Sequence, residues 1–327
     1  MACVNGDTIC AECYNECRKR PGGKCPTCGE NLLTTPVINK TLMDLIKSCI
    51  RLLKISVKEI SIEREPFARG GFGKVYEAKW HDKNVVVKVI KATSEEEEQA
   101  VKREANITLR LSHPNVIKLF GITYVKRKRL GIVMEKAEHY SLDKLIGNID
   151  HEKGRNIALG IVDGLEYVHS QKVIHRDIKP QNILLCGPMN DVIPKIADFG
   201  VSKVIQTVSV MTHTRGIGQF LYMAPEVLSN SRYTFTADIF SLAMTLFEMM
   251  NEQLLTNASP EVYDFVMNVR RGMIGEIPTT CKVPVYLHNI IKRGWNVNPE
   301  VRPTLLEYRS TLHGKYTLFL YELFFLM

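Results

Sequence analysis

Apolar residues change their spacing several times along this chain, and each change predicts an element. Over residues 39–53, Leu42, Leu45, Ile46, Cys49, Ile50 and Leu53 recur at helical spacing, and Thr41-x-x-Asp44 resembles a capping box. From about Ser56 the pattern turns to alternating strands and turns, and Val85-Val-Val-Lys88 reads as a strand ending on a cation. The acidic run at 95–98 suits the positive end of a helix dipole, so a helix carrying Glu104 is expected after it. Leu130-Gly-Ile-Val-Met-Glu135 predicts a strand running into a connector, with the basic run 126–129 at a hairpin tip before it. Residues 155–169 predict a helix with Ile157, Ile161, Leu165 and Val168 on its core face. Val173–Ile174 and residues 183–185 read as short buried strands, so the polar residues between them lie on a loop held at both ends.

That loop carries Asp177, Lys179 and Asn182, an arrangement suited to catalysis because anchored ends fix the aim of its side chains. Three other stretches carry candidate chemistry. In Ala68-Arg-Gly70-Gly71-Phe72-Gly73-Lys-Val75, glycines let the backbone approach phosphate and present N–H groups to it. Lys88 on a buried strand needs a counter-charge, and Glu104 is expected to supply it. In Lys195-Ile-Ala-Asp198-Phe199-Gly200, a carboxylate after a buried strand and before a glycine hinge suits a metal ligand on a movable loop.

His175-Arg176-Asp177-Ile178-Lys179-Pro180-Gln181-Asn182 resembles the H-R-D-x-K-x-x-N catalytic loop of eukaryotic protein kinases. Ala224-Pro225-Glu226, Asp238 and Arg302 extend the resemblance, which runs from 68 to 304. It implies an α+β class and a two-lobed protein kinase fold, with a β-rich N-lobe and a helical C-lobe, over residues 56–313. By resemblance, Asp177 would accept the substrate hydroxyl proton and Lys179 would neutralise charge near the γ-phosphate. Lys88, paired with Glu104, would hold the α- and β-phosphates, and Asn182 and Asp198 would hold Mg²⁺. Gly70, Gly71, Phe72, Gly73 and Val75 would cover the ATP, Met134 would guard the back of its pocket, and the backbone of Glu135 and Ala137 would meet adenine. Asp238 would brace the catalytic loop and Arg302 would pair with Glu226.

The resemblance further implies ATP and Mg²⁺ as cofactors and proteins as substrates. Lys179 favours serine and threonine, and the chain is similar to the tyrosine-kinase-like group. Ser202, Thr207, Ser209, Thr212 and Thr214 lie between Gly200 and Ala224, and Arg176 offers a phosphate there something to bind. Activation by phosphorylation at Thr212 or Thr214 is therefore expected. The chain departs from the family at Ala68, in place of the first glycine, at Thr108, in place of an apolar residue, and at Gln219, in place of a threonine. The competing reading is a scaffold or ubiquitin-ligase-linked protein whose kinase domain is inert.

Composition adds a second module. The 327 residues are 45% hydrophobic and 24% charged, an ordinary globular balance. The net charge of +8 comes without a basic stripe interleaved with aromatics, which points to phosphate handling and away from nucleic acid. Six of the nine cysteines fall in the first 28 residues, with no signal peptide before them, so zinc and a cytoplasmic location are expected over disulfides. The pairs Cys10-x-x-Cys13 and Cys25-x-x-Cys28 can complete a tetrahedral site. With Cys3 and Asp7 they resemble the second half of a RING finger, although Asp7 replaces the family's His and the first C-x-x-C is absent. That resemblance implies Cys3, Asp7, Cys10, Cys13, Cys25 and Cys28 as Zn²⁺ ligands and a ubiquitin-conjugating enzyme as a partner. The expected order is a partial RING-like zinc module (1–38), a linker helix (39–55), the kinase domain (56–313) and an apolar tail (314–327). No apolar run approaches the roughly 20 residues that span a bilayer, and residues 316–327 read as a packed terminal helix or a misread gene end and not as an anchor.

Overall fold

The computed structural model describes residues 54–70, 73–126, 129–199, 221–228 and 234–314. By its internal contacts the chain divides into two units, Met1–Ile55 and Ser56–Met327. The zinc ligands expected at Cys3, Asp7, Cys10, Cys13, Cys25 and Cys28, the helix expected over 39–53 and the tail from 315 onward lie outside the described residues.

The second unit begins with an antiparallel sheet. Among the described residues its strands are β1 (Ile60–Ile62), β2 (Ala68–Gly70), β3 (Gly73–Trp80), β4 (Lys83–Lys91), β5 (Leu119–Lys126) and β6 (Arg129–Glu135). They run in the order β1-β3-β4-β6-β5, with β2 paired to β3. The β-branched run Val85-Val86-Val87 makes β4 a central strand buried on both faces. The pairing places Lys88 between Val75 of β3 and Ile132 of β6. Gly73 has φ +152, and a Cβ there would lie 2.4 Å from the Val89 carbonyl oxygen, so only glycine allows β3 this close to β4.

Helix α1 (Glu95–Leu109) crosses from β4 towards β5 and packs on it. Ser94 caps it by accepting from the Glu97 amide at 3.2 Å, and the Glu97 carboxylate reaches back to the Thr93 amide (2.6 Å) and hydroxyl (2.7 Å). The four glutamates therefore form the first turn of α1, where the sequence reading set them ahead of it. A cap at Ser94, just before the run, is the physical reason.

The helical half is organised on two long helices. In α2 (His151–Ser170), Asp150 caps the start by accepting from the Lys153 amide at 2.8 Å, four residues before the start that the apolar spacing marks. Ile157, Ile161, Leu165 and Val168 are fully buried along it. Every residue from 237 to 250 in α4 (Phe235–Met250) is buried, the polar Asp238, Ser241, Thr245 and Glu248 included. The short α3 (Pro225–Leu228) precedes it, and α5 (Pro260–Arg270), α6 (Val285–Gly294) and α7 (Leu305–His313) follow. Helix α6 packs on α4, and α7 packs on α2, where Arg309 Nη2 meets Asp163 Oδ1 at 2.6 Å. Gly164 lets α2 approach the Asn115 carbonyl oxygen, which a Cβ would meet at 2.6 Å. No helix among the described residues is long and apolar enough to cross a membrane.

One predicted element is not there. Residues 183–185 lie in β7 (Ile183–Cys186), which pairs with β8 (Ile193–Ile196), but Val173 and Ile174 form no strand. They leave the end of α2, where the Val173 amide bonds to the Val168 carbonyl at 3.2 Å. The backbone that follows is satisfied by a side chain, Asp238, so it needs no neighbouring strand.

Candidate active site

Asp238 sits near the start of α4 with no exposed surface. Its carboxylate accepts from the His175 amide, the Arg176 amide and His169 Nε2, each at 2.8 Å. An unpaired carboxylate at this depth would be costly, and these three donors compensate it while fixing the loop's path. Arg176 is held at φ +71, a left-handed conformation that costs a non-glycine residue on the order of 1 kcal/mol.

Along that path three side chains converge. Asp177 Oδ2 receives Lys179 Nζ at 2.8 Å and Asn182 Nδ2 at 2.7 Å. The same Asn182 nitrogen donates to the Asp177 backbone carbonyl at 2.8 Å. The 3-10 turn at 180–182 places Asn182 opposite Asp177, and Pro180 at its first position pre-sets the turn. Lys179 is 9% exposed, so its ammonium is held by its partner and not by water.

The loop also sets the position of Asp198. Ala197 donates its amide to the Asn182 carbonyl at 2.8 Å and accepts from His175 Nε2 at 2.9 Å. His175 Nδ1 meanwhile accepts from the Asp177 amide at 3.2 Å, which leaves the proton on Nε2. Burial holds this imidazole below its usual range, against the pull of the Asp238 and Asp177 carboxylates, so it stays neutral. Its ring stacks edge-on against buried Phe199 at 4.7 Å. Asp198 follows at φ +60, and its Oδ1 holds Lys88 Nζ at 2.7 Å, which ties the sheet to the helical half.

Lys88, Thr108, Met134, Ala197, Asp198 and Phe199 line one pocket between the halves. Glu135 ends β6 beside it, and Val75 faces Lys88 across β3 and β4. Gly70 ends β2 and Gly73 begins β3, while Gly71 and Phe72, between them in sequence, lie outside the described residues. Glu104 lies on α1, but its side chain is not described, so the structure does not bear on the expected Lys88–Glu104 pair; the partner seen for Lys88 is Asp198. Gln219 and the hydroxyls at 202, 207, 209, 212 and 214 lie outside the described residues. The donor atoms suit Mg²⁺, which takes hard oxygen ligands. Asn182 engages its amide nitrogen with Asp177, which turns its carbonyl oxygen to the other side, and Asp198 already holds a cation in Lys88.

The wider frame carries two more contacts. Arg302 forms a fork on Glu226, with Nη1–Oε1 at 2.7 Å and Nη2–Oε2 at 2.8 Å, and lies over the Phe240 ring. Tyr222 donates to Glu248, whose other oxygen accepts from the Leu255 amide at 2.8 Å. The sequence reading gave no role to His175, Tyr222 or Glu248. An acid inside the apolar run 239–250 was the signal for Glu248, since a buried acid must have partners.

Residues 63–316 match the protein kinase domain family. The mitogen-activated protein kinase kinase kinase 7 of Drosophila melanogaster is 31% identical over 79% of this chain and 38% of its own length. The serine/threonine-protein kinase VIK of Arabidopsis thaliana is 31% identical over 73% of this chain and 56% of its own length. The serine/threonine-protein kinase TNNI3K of Mus musculus is 32% identical over 74% of this chain and 30% of its own length. The chain thus spans less than two thirds of each of these relatives. With a strand-rich half and a helical half meeting at this pocket, and with the family match covering most of its length, the chain belongs to the protein kinase family.

Proposed function

We propose that this chain is a serine/threonine protein kinase of the tyrosine-kinase-like group, which transfers the γ-phosphate of ATP to protein hydroxyls. The observation that carries the reading is the Asp177–Lys179–Asn182 cluster, with Asp198 fixed beside it through Ala197. Phosphoryl transfer asks a protein chiefly for positioning and charge neutralisation. Asp177 accepts the proton of the attacking hydroxyl, and Lys179, already on its carboxylate, neutralises charge towards the γ-phosphate. Lys88 leaves Asp198 for the α- and β-phosphates, with Glu104 as its second counter-charge. Magnesium, when bound by Asn182 and Asp198, supplies further neutralisation of the phosphates. Gly70, Gly71, Phe72, Gly73 and Val75 roof the nucleotide, Met134 closes the pocket behind it, and the backbone of Glu135 and Ala137 meets adenine. Two of the relatives, VIK and TNNI3K, are named as serine/threonine-protein kinases, which supports the substrate class.

The test is phosphate transfer from Mg²⁺-ATP to a generic basic substrate. Asp177→Asn is expected to lower it by about 10²–10⁴-fold, the usual range for losing a positioned base. Equal transfer by wild type and variant, or transfer to tyrosine alone, would sink the reading. Phosphorylation at Thr212 or Thr214 is proposed to activate the enzyme, and full activity in the Thr212→Ala/Thr214→Ala variant in the same assay excludes it. The cysteine-rich segment is proposed as a partial RING-like zinc module, with a ubiquitin-conjugating enzyme as its class of partner. Metal analysis is expected to find at least about one zinc per chain, reduced by Cys25→Ser; a metal-free wild type refutes it.

A further inference from the structure

Lys195 and Glu135 take no part through their side chains in the chemistry above, yet their ion pair lies between the two ends of the nucleotide site. Glu135 is the last residue of β6, where the connector that meets adenine begins. Lys195 lies in β8, which ends at Ile196, two residues before Asp198. Lys195 Nζ lies 3.0 Å from Glu135 Oε1 and 3.2 Å from Oε2. Glu135 Oε2 also accepts from the Lys118 amide at 3.1 Å, and the Glu135 amide donates to the Lys118 carbonyl at 2.8 Å. One carboxylate therefore joins the end of β6, the chain leading into β5, and β8.

The surroundings make this joint stiff. Ile196 donates to the Asn115 carbonyl and Ile117 donates to the Ile196 carbonyl, both at 2.9 Å. Asn115 Nδ2 adds a bond to the Pro194 carbonyl at 2.9 Å, while β7 pairs with the opposite edge of β8. The Lys195 side chain is 15% exposed and that of Glu135 30%. A pair this withdrawn from water is weakly screened, and removing one member leaves the other charge poorly solvated.

We propose that Lys195 is a positioning residue for the nucleotide: by clamping Glu135 it fixes the distance between the adenine-binding connector and Asp198. The inference rests on the reading of this pocket as an ATP site. A ligand that touches only the connector is blind to that distance. A ligand that touches both the connector and Asp198 pays for any error in it.

The experiment measures calorimetric binding of Mg²⁺-ADP and of adenosine to the full chain, as wild type, Lys195→Met and Lys195→Arg. Lys195→Met is expected to weaken Mg²⁺-ADP by about tenfold, with adenosine affinity within about twofold of wild type and Lys195→Arg restoring most of the loss. Should Lys195→Met not fold, Glu135→Gln removes the same charge pair while its side-chain oxygen can still accept from Lys118, and the same selective loss is expected. Unchanged Mg²⁺-ADP affinity, or equal losses for both ligands, overturns the clamp. A wild type that binds neither ligand overturns the ATP-site reading itself, so the two failures are told apart.

Discussion

A single carboxylate at position 238 does work that a strand pairing would otherwise do for the catalytic loop. Two of its three donors are backbone amides, and amides cannot turn round to suit a different acceptor. Asp238→Asn would keep the shape but set an NH₂ group against at least one N–H donor. We expect a loss of roughly 3 kcal/mol in urea unfolding, typical of a buried hydrogen-bonded charge left mismatched. Phosphate transfer should fall further than nucleotide affinity, because the loop that moves carries Asp177 and not the adenine contacts. At this scale the sequence was informative wherever a motif at fixed spacing names residues that the fold brings together, as for Asp177, Lys179 and Asn182, with Asp198 held beside them through Ala197. It was silent on His175, whose two ring nitrogens bond to the Asp177 amide and the Ala197 carbonyl. Nothing local to a histidine announces which distant backbone groups will meet it.

Helix α4 shows how an element buried on every side can still carry charge. Its polar residues are each bonded: Ser241 donates to the Tyr222 carbonyl at 2.7 Å and Thr245 to the Ser241 carbonyl at 2.8 Å. Glu248 differs, because burial lifts its carboxyl from 4.5 to about 7. Tyr222 and the Leu255 amide favour the charged form and Asp143 opposes it, but burial outweighs them. A folded value above the unfolded one means that the native state holds this proton more tightly. The associated stability is complete below about pH 4.5 and is lost as pH rises through about 7. Glu248→Gln cannot titrate, so the stability of wild type relative to the variant should fall by on the order of 3 kcal/mol across that window. Urea titrations of both proteins at several pH values measure it, and parallel curves would refute it. Elements with a strong period were legible here, including the helical face of α2 and the β5–β6 hairpin. The start of α1 and the missing strand at Val173–Ile174 were not, because a cap and a distant carboxylate decided them.

Across the second unit, the contacts that assemble the site join residues far apart in the chain. Lys88 meets Asp198, Glu226 meets Arg302 and Asp163 meets Arg309, separated by 110, 76 and 146 positions. The division into a strand-rich half and a helical half was expected from the family resemblance. The Arg302–Glu226 fork could be expected from the family resemblance. The Lys195–Glu135 pair could not, since neither residue's neighbours say that β8 will run beside the end of β6. The catalytic loop offers the clearest consequence of such distance. Its path is held by Asp238, 62 and 63 positions beyond the amides that it binds. On the ribosome Asp177, Lys179 and Asn182 therefore emerge well before the group that shapes their loop. A nascent chain that stops short of α4 contains Asp177, Lys179 and Asn182 but lacks their brace. The bonds that shape the loop accordingly form late in synthesis, once Asp238 of the core helix is available to accept them.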